Sequence, residues 1–542
     1  MPQTPAGGAP TRSGASAFFR KSRLAAVRLA WTALLLTAAA GGAAAAELRI
    51  GLAADVTSLD PHYVNIAPNN NAAWHIYDAL VHVDANARLI PGLAVSWRAV
   101  DATTWEFKLR RGVKFHDGSD FTAEDVLFSL DRPATLAASP GPFTGFVKPI
   151  VAKKALDAYT VQFKTASAYA MLPHDLNSIF IVSKNAAGTA NSDDFNSGKA
   201  AIGTGPFKLV RFARGDRIEL APNDAYWGGK PHWQKVTLRI LPADAPRIAA
   251  LLSGDVDAIE NIPTADLARL KTNAKFHLEQ KISWRTLFFH MDQYRDSPPH
   301  VADKSGKPLG KNPFKDVRVR LAISKAINRR AVVERVMEGF AVPAGNLVSP
   351  PVFGHVESIK SDAYDVGAAK RLLGEAGYPD GFALTLHAPN DRYTNDKQVA
   401  LATAQMLARV GIQAKVETMP ASVYFGKARA GEFSFALLGW GSFSGDLALR
   451  ALLATPDPAK GFGAWNWGKY SNAGMDRMLE QDFATTNDKL REVLAQKAAA
   501  MALQDTPVIL LHHQLASWAM KPGYAYTARS DEYTFAHHFR PK

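Results

Sequence analysis

The sequence predicts an α/β protein built of two or more lobes, and three observations carry that expectation. From residue 365 onward, helical and strand periodicities alternate, as a parallel sheet with covering helices requires. The 496 residues after Ala46 exceed the roughly 250 to 300 at which a single core stops growing, and no Pro/Ser-rich linker divides them. Residues 92–132 form a further unit of strand, turn and capped helix.

In chain order, the first segment is a secretory leader. Arg12, Arg20, Lys21, Arg23 and Arg28 precede the apolar run Leu29 to Ala40, and Ala44, Ala45 and Ala46 offer a small-residue cleavage site. That run is about half the length of a spanning helix, which favours cleavage near Ala46 over a retained anchor. A lipoprotein anchor would need a Cys, and the chain has none. Trp105, Phe107 and Leu109 then alternate with Glu106, Lys108 and Arg110 as a half-buried strand. Val113 and Phe115 resume the alternation after Gly112, which reads as a hairpin. His116 to Ser119 supply a turn, and Thr122 with Asp125 opens a helix by a capping box. Gly203, Thr204, Gly205 and Pro206 lead into Phe207, Leu209 and Phe212, read as a strand crossing between lobes. Pro206 removes a donor that a phosphate-cradling loop would need.

Val236, Leu238 and Ile240 make the next strand, and Ala245 to Leu252 a helix stopped by Gly254. Asp255 and Asp257, at i and i+2, could form a metal or acid/base pair or belong to a buried turn. Helices follow at 316–326 and 329–337, capped by Asp316 and Asn328. Helix 366–376, strand 382–388, helix 398–410 and strand 412–418 give a βαβ unit. Helix 421–430 and an apolar strand 433–440, buried on both faces, complete the pattern.

The net charge of +13 includes five leader cations, leaving +8 spread among interspersed acids. No run of five basic residues occurs, so nucleic acid is not an expected partner. Without Cys, disulfides, thiolate metal sites and cysteine nucleophiles are excluded. Metallopeptidase, serine-hydrolase and Ser/Lys signatures are missing, so no catalytic residue and no cofactor is assigned. His512 with His513, and His537 with His538, read as strand neighbours facing opposite ways, and no metal site is assigned to them.

In open parallel sheets ligands sit beyond the carboxyl ends of strands. The strand 382–388 leads into Arg392, whose planar fork suits a carboxylate, and the strand 433–440 leads into Asp446, an acceptor for an ammonium group. Together they would clamp a zwitterion. The alternatives are a surface charge for Arg392 and a loop or helix cap for Asp446, and Trp440 either stacks on a ligand or fills core.

These segments carry a resemblance. The stretch 92–132, GTGPF at 203–207, YWGGKP at 226–231 and the FKDVRVRLAISKAINR run at 314–329 resemble the family 5 extracellular solute-binding proteins, peptide-type receptors of ABC importers. The resemblance implies a two-lobed periplasmic binding protein fold of class II type, with an inserted domain and a hinge. It places lobe I at 47–77 with 201–282 and 508–542, the additional domain at 78–200 and lobe II at 283–507. LHAPNDRYTNDKQ and LGWGSFSGD look like the dipeptide and glutathione branch, which implies Arg392 on the ligand carboxylate and Asp446 on its amino terminus. Phe443 and Leu447 depart from that branch. Asp55, Val56 and Thr57 match the stretch that runs beside an extended ligand and offers backbone hydrogen bonds. The implied protein is a monomeric periplasmic receptor for a small peptide-like solute, serving a membrane permease. An opine, an oligosaccharide, or a nickel or haem complex is the alternative ligand, with a secreted hydrolase last.

Overall fold

The computed structural model describes residues 46–136 and 139–542; the leader expected at 1–46 lies outside the described residues except for Ala46. Its organising element is a mixed sheet of twelve strands. The strands run in the order Phe207–Ala213, Arg217–Pro222, Lys235–Ile240, Glu47–Leu52, Ala258–Glu260, Ile509–Met520, His277–Met291, Phe435–Gly441, Ala383–Pro389 and Val301–Ala302. Ala341–Pro343 and Gln413–Met419 pair at its sides. Helices cover the sheet, so its central strands are apolar on both faces, as the burial of Phe435 to Gly439 illustrates.

Two long antiparallel strands, His277–Met291 and Ile509–Met520, join two separate cores. At one end Trp518 and Met520 pack with Leu48, Ile50, Val236 and Leu238. At the other, Leu287, Phe289, Ile509 and Leu511 pack with Leu384, Leu386, Phe435 and Ile323. Between the cores the register slips: Ile282 faces Leu515, but Thr286 faces His513. Ser283, Trp284 and Arg285 stand opposite Gln514 alone, a bulge of two residues more than this ladder takes, and Trp284 N donates instead to Ser530 O at 2.9 Å.

These strands, and not the segment after Gly203, are the crossing elements. Phe207–Ala213 is an edge strand paired only with Arg217–Pro222. Gly203 and Gly205 answer a different need, since a Cβ at either would lie 2.0 or 2.7 Å from Ile76 O. The hairpin around Trp105 is also corrected. Thr104–Leu109 pairs with the preceding strand Ala94–Asp101 and with Thr160–Thr165, and Gly112, at φ +74°, only turns the chain. The capping box holds, with Thr122 N donating to Asp125 Oδ2 at 2.9 Å ahead of helix Ala123–Asp131. The βαβ unit holds as well: Ala383–Pro389 and Gln413–Met419 run parallel from Ala383 against Gln413 to Pro389 against Met419, with helix Asp396–Ala408 between them.

The strands Ala94–Asp101, Thr104–Leu109, Thr160–Thr165 and Ile150–Asp157 form a second sheet over its own core of Phe107, Val126, Phe163 and Leu172. Asp60 fastens this region to the main sheet. Its carboxylate takes Arg132 Nη1 and Nη2 at 2.6 and 2.8 Å and Ser192 Oγ at 2.7 Å, with Asp60 and Arg132 both buried. A charge pair this dry costs about 3–5 kcal/mol to break from one side. Asp257 plays a similar part, accepting from Arg49 N, Arg49 Nη2 and Lys521 Nζ at 2.9, 2.9 and 2.6 Å. No helix among the described residues is long and apolar enough to cross a membrane.

Candidate functional site

A cavity of about 830 Å³ opens where the second sheet region meets the bulge and the strand end at Trp440. Each wall follows from an element already described. The bulge aims Trp284 inward; the strand Phe435–Gly441 ends on Trp440, Ser442 and Phe443; the segment after Ile509–Met520 returns with Arg529, Asp531, Tyr533 and Phe535. Tyr169, Asp175 and Asn177 come from the second sheet region. Trp440 meets Trp465 at a tilt, with ring centres 5.3 Å apart and planes at 58°, and Phe443 lies flat on His174 at 5.5 Å. A wide apolar enclosure with a few polar points is the usual make-up of a small-molecule site, and its volume falls in the roughly 300–1,000 Å³ range of such sites.

Most charged groups on the cavity wall are already satisfied. Asp78 accepts from Thr204 Oγ1 and Trp227 Nε1, both at 2.9 Å, and faces His82 Nε2 at 3.2 Å. Arg529 Nε donates to Asp531 Oδ1 at 3.0 Å, and its guanidinium lies 4.6 Å above the Phe535 ring. Arg450 differs: its Nε donates to Gly461 O at 3.1 Å and its Nη1 to Tyr169 OH at 3.3 Å, and no carboxylate pairs with it among the described residues. Tyr169 OH in turn donates to Asp175 Oδ2 at 2.7 Å. Burial pushes the Asp175 carboxyl up to about 7, against the opposing pull of Tyr169 and Arg450.

Of the six residues singled out from sequence, Trp440 lines the cavity; Asp446, Arg392, Asp55, Val56 and Thr57 do not. Asp446 is fully buried in the first turn of helix Gly445–Leu452. Its Oδ1 accepts from Ser444 Oγ and from Leu447 N, the latter at 2.7 Å, while Oδ2 faces Arg491 Nε at 3.3 Å. Burial raises its proton affinity, opposed by Arg491. Asp482, next to it, is pushed up to about 9 by burial and then by the Asp446 charge. One proton shared by two acids against one arginine is the stable state of such a cluster.

Arg392 is exposed in its loop and carries no side-chain hydrogen bond to any described residue. Enclosure by protein, and then Arg285, lower its proton affinity. Arg285 itself is held by Glu532, with Nη2 to Oε2 at 2.8 Å. Val56 is wholly buried in the core, and Thr57 N is already spent on Asn69 Oδ1 at 3.0 Å, so that donor is closed to a ligand strand. Asp55 is exposed. Arg392 and Asp446 therefore do not meet on one surface here. His537 and His538 are corrected too: they occupy a 3₁₀ turn, not a strand, with ring centres 4.6 Å apart, and both line the cavity. No group of three metal-ligating side chains occurs among the described residues.

Sequence reading passed over Trp284, Tyr169, Asp175 and Arg450. Arg450 alone left a trace, as the single charge in the otherwise apolar run Leu447 to Leu453.

Residues 88–450 match the family described as bacterial extracellular solute-binding proteins, family 5 Middle. The chain is 30% identical over 474 residues to the dipeptide-binding protein of Escherichia coli K12, covering 81% of this chain and 83% of that one. It is 28% identical over 487 residues to heme-binding protein A of Haemophilus influenzae, covering 84% of each. Among solved structures, the ABC transporter-associated periplasmic binding protein DppA of Helicobacter pylori, in complex with peptide STSA, superposes with a TM-score of 0.74. Its identity is 26%, over 91% of this chain and 98% of that one.

Proposed function

We infer the function from one premise: the chain belongs to the bacterial extracellular solute-binding proteins of family 5. On that premise it is a periplasmic receptor that captures a peptide-like solute and passes it to the permease of an ABC importer. The observation that carries the reading is the cavity of about 830 Å³ at the point where two crossing strands join separate cores. Similarity to a dipeptide-binding protein, and to a structure holding a tetrapeptide, supports a peptide as the solute.

The mechanism follows from the topology. Lobe I (47–77, 201–282 and 508–542) and the additional domain (78–200) form one side, lobe II (283–507) the other. The bulge at Ser283, Trp284 and Arg285 is the compliant point between them, and a solute that touches both sides favours their approach. Trp440, Trp284 and Phe443 supply apolar contact that accepts varied side chains. The receptor leaves its solute unchanged, and its leader is removed near Ala46.

A thermal-shift and mass-spectrometric screen of di- to tetrapeptides tests this. A bound peptide at about 100 times its Kd stabilises the fold by about 2.7 kcal/mol and is recovered intact. Peptide hydrolysis proportional to protein concentration, in material free of peptidase, would replace the receptor by an enzyme.

One observation favours a second reading. The acid expected to hold a ligand amine, Asp446, is wholly buried, whereas Arg450 on the cavity wall has no acid partner. A non-peptide carboxylate, such as an opine, uses that arrangement equally well.

A further inference from the structure

We propose that Arg450 is the group by which the cavity grips its solute, through a carboxylate, with Tyr169 and Asp175, linked to it by a chain of hydrogen bonds, completing the clamp. The proposal deepens the receptor reading and rests on it for the cavity being the binding site.

Inside the cavity, charges are compensated in pairs, with one exception. Arg529 is matched by Asp531, and His82 faces Asp78, whose Oδ2 accepts from Thr204 and Trp227 and whose Oδ1 accepts from Tyr226. Asp84 is occupied at its own turn, accepting from Asn86 N and Arg88 N at 2.8 and 2.9 Å. Arg540 lines the cavity but is exposed, where water screens it. Arg450 remains. A guanidinium has five N–H donors, and hydrogen bonds to Gly461 and Tyr169 employ two of them. Those same contacts, with the Phe483 ring 5.5 Å from its Cζ, hold the fork in place, so little freedom is lost when an anion arrives.

Asp175 would compensate Arg450 if it were ionised. It is buried, its Oδ2 is hydrogen-bonded to Tyr169, and burial holds its carboxyl up to about 7. The groups facing it are Tyr169 and Arg450; His174, on its own helix, turns away onto Phe443 towards Arg491. In its neutral form Asp175 leaves the cluster with a net positive charge and can donate its own proton to an incoming carboxylate. Arg450 stands on helix Gly445–Leu452 and Asp175 on helix Leu172–Asn177, and Tyr169 OH links them, so an anion resting on the cluster engages elements from both regions of the chain.

Calorimetry with trialanine, trialanine amide, an N-carboxyalkyl amino acid and maltotriose decides it, on wild type, Arg450→Gln, Arg450→Lys and Asp175→Asn, each checked for folding by circular dichroism. Wild type is expected to bind trialanine at least roughly 30-fold more tightly than its amide. In Arg450→Gln that preference disappears with the amide affinity unchanged, and Arg450→Lys restores part of it. Affinity for the free carboxylate should fall from pH 6 to pH 8 in wild type and stay flat in Asp175→Asn. If wild type binds acid and amide equally, or Arg450→Gln keeps the preference, the clamp is wrong and the peptide receptor stands. Binding of the N-carboxyalkyl amino acid but no peptide, dependent on Arg450, confirms the clamp and overturns the peptide reading. Binding of maltotriose alone, or of nothing at millimolar concentration, overturns both.

Discussion

Asp446 and Arg450 stand one turn apart on helix Gly445–Leu452, yet they belong to arginine–acid clusters in opposite surroundings. Asp446 joins Arg491 and Asp482 in a dry interior, with all three side chains at most 3% exposed. Arg450 joins Tyr169 and Asp175 on the wall of a cavity. The same residue types thus serve two ends. The first cluster has its charges matched internally and braces the fold; Arg491 Nη1 also reaches Ala170 O at 3.5 Å, beside the Ala170 N to Phe483 O bond at 2.8 Å that ties the two regions together. The second leaves a cation unmatched and is open to a solute. What separates them is not composition but whether each charge finds its partner inside the protein.

The largest effect expected from breaking this contrast is on Arg491. Arg491→Met strips two buried acids of the only cation facing them among the described residues and should cost about 3–5 kcal/mol in urea unfolding; a cost under about 1 kcal/mol would mean the cluster is not the brace described.

The next effect is the pH dependence of Asp175. Its folded pKa of about 7 lies above the ordinary 3.8, so the folded state binds the extra proton, and stability is fully present below about pH 4 and declines as pH rises through 7. That contribution is on the order of 2–4 kcal/mol for a shift of this direction and size. Comparing wild type with Asp175→Asn at pH 5 and pH 8 isolates it: the stability difference between the two should move in favour of the Asn variant at the higher pH. An unchanged difference would place Asp175 in water rather than in the protein.

Smaller still is Asp446→Asn. Asp482 is there to ionise and take over Arg491, so the loss should be about 1–2 kcal/mol, less than for Arg491→Met. Equal losses would show that Asp482 cannot substitute. Smallest is Arg450→Gln, whose effect on unfolding should stay within about 1 kcal/mol, its consequence falling on solute affinity instead.

Much of the chain was legible before its fold was known. The capping box at Thr122 and Asp125, the caps Asp316 and Asn328, the stop at Gly254 and the parallel pairing of 383–389 with 413–419 all appear where local pattern placed them. The errors share a cause. Local pattern marks Gly203 and Gly205 as the start of a crossing strand, whereas what they accommodate is Ile76, 127 or more residues away in sequence. The strand at Trp105 found its partner upstream, since Ala94–Asp101 could pair with it and Val113 could not. Asp446 was read from its position after a strand, which says nothing of what covers it.

By itself, then, the sequence determined the order and type of most elements, the α/β class and the family, because periodicity, caps and turns depend on residues a few positions apart. Only the tertiary structure decided which strands join the two cores, and that the half-buried cation left without an acid partner on the cavity wall is Arg450 while Asp446 is sealed in the interior. The energy of a charge is set by its solvent exposure and by partners such as Tyr169, Arg491 and Asp482, brought to it from distant parts of the chain.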